Sequence, residues 1–595
     1  MPAALSRAAG TSATSSARER APRKLALHAG LQAALALVVC FLYAQLFRGT
    51  GFLGDEQAWP YLRVFEYLRE AHAGHLPVTF PTAFTGRGHA FPFFYPPVAY
   101  WITTALAAAC GDVVWGVHLS YLASVLFSAS MMYAVLAKIT RRPELAFLGA
   151  LAYVTFPYRF FDIFGRAALG ESWAFVWYPL ILHGLWRTLH ERRAVPVSLP
   201  LGVAGAVLTH TITALYFVPV AALIAWSFDA LRQPRALLRL GLVTLLALGA
   251  TAWFIGPQQF YLPSVWASDP SIMWTRPEEI GRHRLAPATL LLGVPAPRGL
   301  GLWLGFAGLA FTPLVAAAYR PAADRRPQAA AWSGGADQRL PLVCLAVWWA
   351  ILLVQLYPVA LMGWLPQPFR YLQFPWRLQG IAGFVMAVGS TLALSRWPRS
   401  RLRLGIVALV AVALLVTIPP SLRRAAGQPQ WTHAMLADVR TGRLAGRGLT
   451  PQGEYAPLAT PREHLRWGAA DPTAVAPQAR AGARVVDFRR DGDRLTAVVD
   501  GPGRLVLPLF AYPFYAVADE AGHRLESTQE QGLISVAVPR GRHTLRTVRR
   551  LPLPVWLAFG VSGVAVAGLA LVLRRERADR RTPTGSPHAR RIVLA

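Results

Sequence analysis

"FFYPPVAYWITTALAAACGD" (residues 93–112) is the stretch on which the topology turns. It is apolar for the roughly 20 residues that a spanning helix needs. Yet neither end carries Arg or Lys, and Pro96-Pro97 fit only the first turn of a helix. Read as a crossing, it would put the basic cluster "KITRR" (138–142) outside, against the rule that such clusters stay cytoplasmic. Read as a juxtamembrane helix that dips in without crossing, it leaves that cluster inside. The second reading sets the sidedness of every later loop.

Working outward, the chain has 595 residues, 54% of them hydrophobic, and a formal net charge of +30. That combination predicts a polytopic membrane protein rather than a soluble core. The positive charge is nearly all Arg, in short clusters between apolar runs: "KITRR", "RTLHERR" (187–193), "RQPRALLR" (231–238), "RWPRSRLR" (396–403) and "RRERADRR" (574–581). Dispersal at helix ends, with no continuous basic face interleaved with aromatics, argues against nucleic acid as a partner. Cys40 and Cys344 lie in apolar runs and Cys110 near the end of one, which gives neither a disulfide framework nor a CxxC pair.

The first long apolar run, 26–47, follows Arg18, Arg20, Arg23 and Lys24, so the N-terminus is expected in the cytoplasm. Its exit, "LFRGTGFLGDE", has no signal-cleavage pattern. Further helices are expected near 113–137, 145–157, 173–187, 197–211, 213–230, 239–256, 303–319, 341–360, 379–396, 405–420 and 553–573. The fold class is therefore mostly α, with about twelve spans and both termini inside. The expected domains are a cytoplasmic tail (1–25), a transmembrane domain (26–420) with an external first loop (48–112), an extracytoplasmic β-rich domain (421–552), a last helix (553–573) and a cytoplasmic basic tail (574–595). In the β-rich domain, "ARVVDFRR", "RLTAVVD", "RLVLPLF" and "GLISVAVP" alternate apolar and polar residues between turns, which predicts a small β-sandwich. Residues 1–22 and 582–595 read as disordered.

The candidate chemistry gathers on the external side. "GDEQAWPYLRVFEYLREAHAGHLP" (54–77) sets Asp55 and Glu56 just beyond the first helix, ahead of an amphipathic helix whose Trp59, Leu62, Phe65, Tyr67 and Leu68 would rest on the bilayer. An ordinary helix cap is the competing reading of Asp55. Asp162 stands among aromatics in "FPYRFFDIFGR", and Glu171 in "GES" opens the next helix, where it too could be a cap. His210 sits in a tight turn, "LTHTITAL", with a packing role as its alternative. "FRYLQFPWRLQ" (369–379) puts Arg370, Gln373 and Arg377 at another external helix end, where snorkelling competes with phosphate binding. His72, His75 and His89 have loose metal-like spacing that interfacial solvation explains more simply. That Asp55, Asp162, Glu171, His210 and Arg377 fall on one side is more economically explained by one shared site than by separate accidents.

The order of an external acidic loop, "FFYPPVAYW", a second acid near residue 160 and "E..AF...PL" (Glu171 to Leu180) resembles the GT-C superfamily of membrane glycosyltransferases. "QFPWR" (373–377), "GEYAP" (453–457), "LFAYPFYAVADEAGHRL" (509–525) and "GLISVAVPRGRHTLRTV" (532–548) resemble segments of the 6-pyruvoyl-tetrahydropterin-synthase-related membrane proteins and their bacterial glycosyltransferase-like relatives. The resemblance implies a multi-pass protein of the bacterial cytoplasmic (inner) membrane. It implies a polyprenyl-phosphate sugar donor, membrane lipids as partners, and a glycan, lipid or protein acceptor on the external face. Asp55 matches the first-loop base, with Glu56 beside it. Asp162 matches a second-loop acid that in some relatives helps hold a divalent metal cation, so Asp55 and Asp162 are the metal candidates. Arg166, Arg370 and Arg377 are the cations expected near the phosphate, and Glu171, His210 and Gln373 complete the substrate-binding set. A lipid-linked-sugar flippase or transporter and a non-catalytic envelope-assembly scaffold are the rival classes; a transporter should carry polar residues at mid-membrane and often an internal repeat, and neither is seen.

Overall fold

The computed structural model describes residues 3–48, 56, 58–75, 78–273, 275–293, 302–319, 336–397, 405, 409, 412, 433–441, 453–465 and 476–578. Asp55, most of the helix expected at 405–420, most of 421–475 and the tail beyond 578 lie outside the described residues.

Apolar helices dominate, and the chain is a multi-pass membrane protein. The count of about twelve is not confirmed. Among the described residues, six helices pass by length and composition: Lys24–Leu42, Val113–Thr140, Ser198–Ser227, Arg339–Leu356, Pro375–Ser395 and Leu553–Arg575, of which Ser198–Ser227 is two helices joined across a break at His210. The pair Pro234–Ala250 and Ala252–Ser264, bent by 65°, would make a seventh. Other expected spans do form helices but fall short. Pro143–Thr155 has 13 residues and Gly305–Ala318 has 14, roughly 20 Å at 1.5 Å per residue against a hydrocarbon core of about 30 Å. Residues 1–22, expected to be disordered, are helical from Ala3 in the helix Ala3–Leu42, although Gly10, the Ser/Thr residues of 11–16 and the internal Pro22 are weak helix formers.

The decisive stretch, 93–112, folds as a helix of 13 residues, Val98–Cys110. Gly111 ends it in the left-handed conformation (φ 66°), and Asp112 caps the next helix by accepting the Trp115 N–H at 2.9 Å. The chain therefore reverses within two residues. Val98–Cys110 then lies against Val113–Thr140 so closely that a Cβ on Gly116 would stand 2.5 Å from the Ala107 Cα.

Ser198–Ser227 is continuous in hydrogen bonding but breaks at His210, whose backbone is extended (φ −158°, ψ 89°). The contacts show a hairpin rather than one long rod. Going out, Ser198 bonds His183 at 2.7 Å, Gly205 meets the Trp177 ring and Thr209 reaches Gly170. Coming back, Phe217 stacks on Tyr178 at 4.3 Å and Phe228 meets His190 at 6.0 Å. Both ends of the run thus lie at one end of the helix Leu169–Leu185, with His210 at the other.

Among the described residues, the C-terminal region is not two stacked sheets. It is one antiparallel seven-stranded sheet: β1 (Gln478–Arg480), β2 (Arg484–Asp491), β3 (Arg494–Phe510), β4 (Tyr515–Ala518), β5 (Arg524–Leu525), β6 (Ser527–Glu530) and β7 (Leu533–Arg549). "RLTAVVD" and "RLVLPLF", expected as separate strands, are the two halves of β3, which pairs with β7 along its length. The register shifts between Gly501 and Gly503, opposite Gly541, where missing side chains let the long pair bend. β2 pairs the first half of β3 and β1 the second, so one kinked ladder does what a sandwich would.

The sheet docks on the first loop. The Phe510 N–H donates to the Arg87 carbonyl at 2.7 Å, the Tyr515 and Thr79 hydroxyls meet at 2.5 Å, and Phe514 packs on Phe93 at 5.1 Å.

The hairpin makes a topological prediction. Single cysteines at Val197 and Leu231, both exposed, should react with a membrane-impermeant maleimide from the same side once exposed Cys110 is replaced by Ser. Labelling from opposite sides would restore a single straight span.

Candidate active site

"FPYRFFDIFGRAALGES" builds the centre. Pro157 opens a short helix that widens into a π-turn over Phe161–Gly165. Ala167 then takes the left-handed conformation (φ 58°) before the helix Leu169–Leu185 begins. The π-turn brings Arg159, Asp162 and Arg166 to one side. Arg166 donates to Asp162 Oδ1 at 3.3 Å, to the Tyr158 hydroxyl at 3.2 Å and, in a short ion pair, to Glu171 Oε2. Tyr158 donates to the other Glu171 oxygen at 2.5 Å. Glu171 is therefore no plain cap: its carboxylate turns inward from the first helical turn.

Two further guanidiniums flank this core. Arg159 lies 3.8 Å from Asp162 Oδ2, donates to the Ser172 carbonyl at 2.8 Å and to Ser124 Oγ at 3.1 Å, and covers the Phe175 ring. Arg377 has its Nε 3.9 Å from Glu171 Oε2 and donates to the Leu372 carbonyl and Gln373 Oε1. The Trp376 ring roofs Arg166, 5.0 Å from the guanidinium carbon. All these charged groups are buried.

The first loop reaches the same place. The Glu56 N–H donates to the Arg166 carbonyl at 2.9 Å, while its carboxylate accepts from Arg63 at 3.0 Å. Arg63 also bonds the Tyr100 hydroxyl at 2.8 Å and covers the Phe91 ring. The helix that follows is Trp59–His72, with Ala58 at its N-cap, so that position is not held by Asp55. Trp59, Tyr61, Leu62 and Tyr67 are buried in protein, and Phe65 and Leu68 half-buried, instead of resting on lipid. The reason is coverage: Tyr61 bonds His118 at 3.1 Å, and Tyr67 packs on Phe80 and Tyr100.

His210 arrives through its turn. Gly170 makes room, since a Cβ there would stand 2.7 Å from the Thr209 carbonyl. The imidazole Nδ1 lies 3.1 Å from Thr213 Oγ1, and the turn abuts Gly170, the residue before Glu171. Asp162, Arg166, Glu171, His210 and Arg377 are thus brought together, with Glu56 at their edge. Gln373 is held in the left-handed conformation (φ 61°), donates to the Met273 carbonyl at 2.7 Å and positions Arg377. Arg370 is half-buried and none of its described contacts reaches the cluster.

A divalent cation does not suit Asp162 as placed. Its free Oδ2 faces Arg159, its Oδ1 faces Arg166, and a metal there would meet two positive charges. Among the described residues no three His, Cys, Asp or Glu side chains gather as a metal site. His75 pairs with Glu70 at 3.6 Å, and His89 is buried between Phe84 and Tyr455.

A second buried polar group went unread in the sequence. Glu66 is fully buried, paired with Arg69 at 2.5 Å and accepting from Thr82 at 2.7 Å, with Glu70 alongside. Its signal was the i, i+3, i+4 spacing of Glu66, Arg69 and Glu70, which continues a face that also carries Arg63. Arg159 carried a similar signal, three residues before Asp162.

No family model matches the chain, and no curated protein matches it. Among solved structures it is similar to the cryo-EM structure of arabinosyltransferase EmbB from Mycobacterium smegmatis, at 11% identity and a TM-score of 0.33. The similarity covers 87% of this chain and 63% of that one, less than two thirds of its length.

Two outcomes follow from the geometry. Arg166→Gln leaves Asp162 and Glu171 buried without their shared cation and should lower unfolding stability in detergent by about 3–5 kcal/mol; unchanged thermal unfolding would mean that the pairing carries little. Burial pushes the Glu66 carboxyl from 4.5 up to about 7, against the pull of Arg69 and the Thr82 hydroxyl. Between those values the folded chain holds a proton that the unfolded chain has released, so stability falls as pH rises through that window and then levels off. In a pH series of thermal unfolding, Glu66→Gln should flatten this slope, and an undiminished slope would assign it to other groups.

Proposed function

We propose that this chain is a membrane glycosyltransferase of the GT-C type, moving a sugar from a polyprenyl-phosphate donor to a glycan, lipid or protein acceptor on the external face of a bacterial cytoplasmic membrane. The observation that carries the reading is the bond from the Glu56 N–H to the Arg166 carbonyl. It sets Glu56, the residue after Asp55 in the sequence, against a buried group of guanidiniums and carboxylates.

In this scheme Asp55 is the general base. It takes the proton of the acceptor hydroxyl as the new bond forms at the anomeric carbon, and the bond from that carbon to the donor phosphate oxygen breaks. The electron pair leaves with the lipid phosphate. A positioned base contributes roughly 10²–10⁴-fold. Glu56 is the less suited of the two acids because Arg63 occupies its carboxylate. Charge developing on the phosphate needs fixed cations. Arg166 is engaged by two carboxylates, whereas Arg377 has only a 3.9 Å approach to one, so Arg377 is the first choice for the phosphate, with Glu171, His210 and Gln373 holding it in place.

The test is sugar release from a radiolabelled polyprenyl-phosphate donor by the purified chain. Asp55→Asn should fold normally and lose at least about 10²-fold in turnover, with Glu56→Gln costing much less. If Glu56→Gln abolishes turnover and Asp55→Asn does not, the roles are exchanged. If both remain fully active, catalysis does not occur at this loop; if the wild type releases no sugar from any such donor, the scaffold or transport reading replaces this one.

A further inference from the structure

The span Arg339–Leu356 ends at an open cleft of about 520 Å³ that lies apart from the charged cluster. Its walls include Arg282 and Arg284 on one side and Leu356, Tyr357, Val359 and Ala360 on the other. The Leu285 N–H donates to the Gln355 carbonyl at 3.1 Å and so ties the arginine segment to the end of the span. Gly281 lets the two walls approach, since a Cβ there would stand 2.8 Å from Val359 Cγ2.

Depth and charge identify the occupant. A cleft at the end of a spanning helix lies at the membrane–water boundary, and exposed Tyr357 and Trp364, at 59% and 74%, mark the aromatic level of that boundary. Arg282 and Arg284 form no ion pair among the described residues. Nearby Glu278 makes none with them either, and the Glu279 carboxylate accepts the Arg276 N–H at 3.3 Å. Two guanidiniums above an aliphatic wall match a phosphate carried on an apolar chain. The cleft is partitioned from the cluster by aromatic rings: His283 meets Phe374 at 4.5 Å, and Phe374 stacks on Trp376 at 5.0 Å.

We propose that this cleft binds the phosphodiester of an anionic membrane phospholipid, with its glycerol and first methylenes against Leu356, Tyr357 and Val359. The lipid steadies the segment Arg282–Arg284, whose His283 ring meets Phe374, and the Arg377 guanidinium lies over that Phe374 ring at 4.8 Å. The assignment does not depend on the transferase reading.

Native mass spectrometry of the purified full chain in phosphatidylglycerol or phosphatidylcholine micelles tests it. The wild type should retain phosphatidylglycerol, and Arg282→Gln/Arg284→Gln should weaken retention on the order of tenfold or more as two charge-assisted contacts are lost. Val359→Trp, which fills the cleft without changing charge, should do the same and carries the test if the double variant fails to fold. Arg282→Lys/Arg284→Lys should retain part of the binding. Equal retention of phosphatidylcholine, or undiminished phosphatidylglycerol on Val359→Trp, overturns the proposal. Displacement by millimolar inorganic phosphate also overturns it, in favour of a free-anion site.

Discussion

One guanidinium, that of Arg166, satisfies two buried carboxylates at once, and much of the surrounding chain is arranged so that it can. Burying an ion costs several kcal/mol unless partners replace the lost water. Arg166, Asp162 and Glu171 lie within ten residues, so the backbone between them must turn tightly: hence the π-turn at Phe161–Gly165 and the left-handed Ala167. Segments distant in sequence are then referenced to the same side chain. Trp376 roofs it, the Arg166 carbonyl holds the first loop through Glu56, and Gly170, next to Glu171, admits the His210 turn.

The other side of the first loop is held by the sheet. Between Phe80 and Gly88 the loop has only turns of its own, and Arg87 contributes its carbonyl to Phe510. Arg490 donates to the Pro81 carbonyl at 3.0 Å, and the Tyr512 hydroxyl donates to the Tyr455 carbonyl at 2.8 Å, which ties "GEYAP" into the same corner. The Tyr455 ring stacks on Phe94 at 5.5 Å, close to the aromatic surroundings of Arg63. The C-terminal sheet thus shapes the loop that carries the first acids. The contacts Thr79–Tyr515 and Pro81–Arg490 each span more than 400 residues, so the loop's final form depends on the far end of the chain.

Which parts were legible follows from the range of the signal. Helix positions rest on local hydropathy and are found at nearly every described stretch where they were expected. Counting spans required knowing length and bending, and the short Pro143–Thr155 or the bent Pro234–Ala250 pair look alike to a hydropathy window. The tight turn at His210 was legible because polar residues interrupt an apolar run, and the hairpin contacts realise it. The gathering of Asp162, Glu171, His210 and Arg377 could be argued from sidedness alone. Their pairing could not, because it depends on a π-turn that no pattern announces. The sandwich expectation failed for a similar reason: Gly501-Pro502-Gly503 reads as a turn between strands, whereas the strand bends there and continues.

Arg159, Arg166 and Arg377 face Asp162 and Glu171, and the adjacent Arg63 and Glu56 cancel each other. Among the described residues this leaves one positive charge without a matching carboxylate, in surroundings of low dielectric where it is felt strongly. It cannot reside equally on the three arginines. Arg166 is held by both acids, and Arg159 is bonded to Ser172 and Ser124 and faces Asp162. Arg377, by contrast, donates only to neutral groups, the Leu372 carbonyl and Gln373 Oε1. An incoming anion therefore gains most at Arg377, and a phosphate there would also lie within the reach of Arg166, across Glu171. The excess charge thus favours an anionic ligand at the end of the cluster next to Phe374 and Trp376, instead of deep beside Arg159.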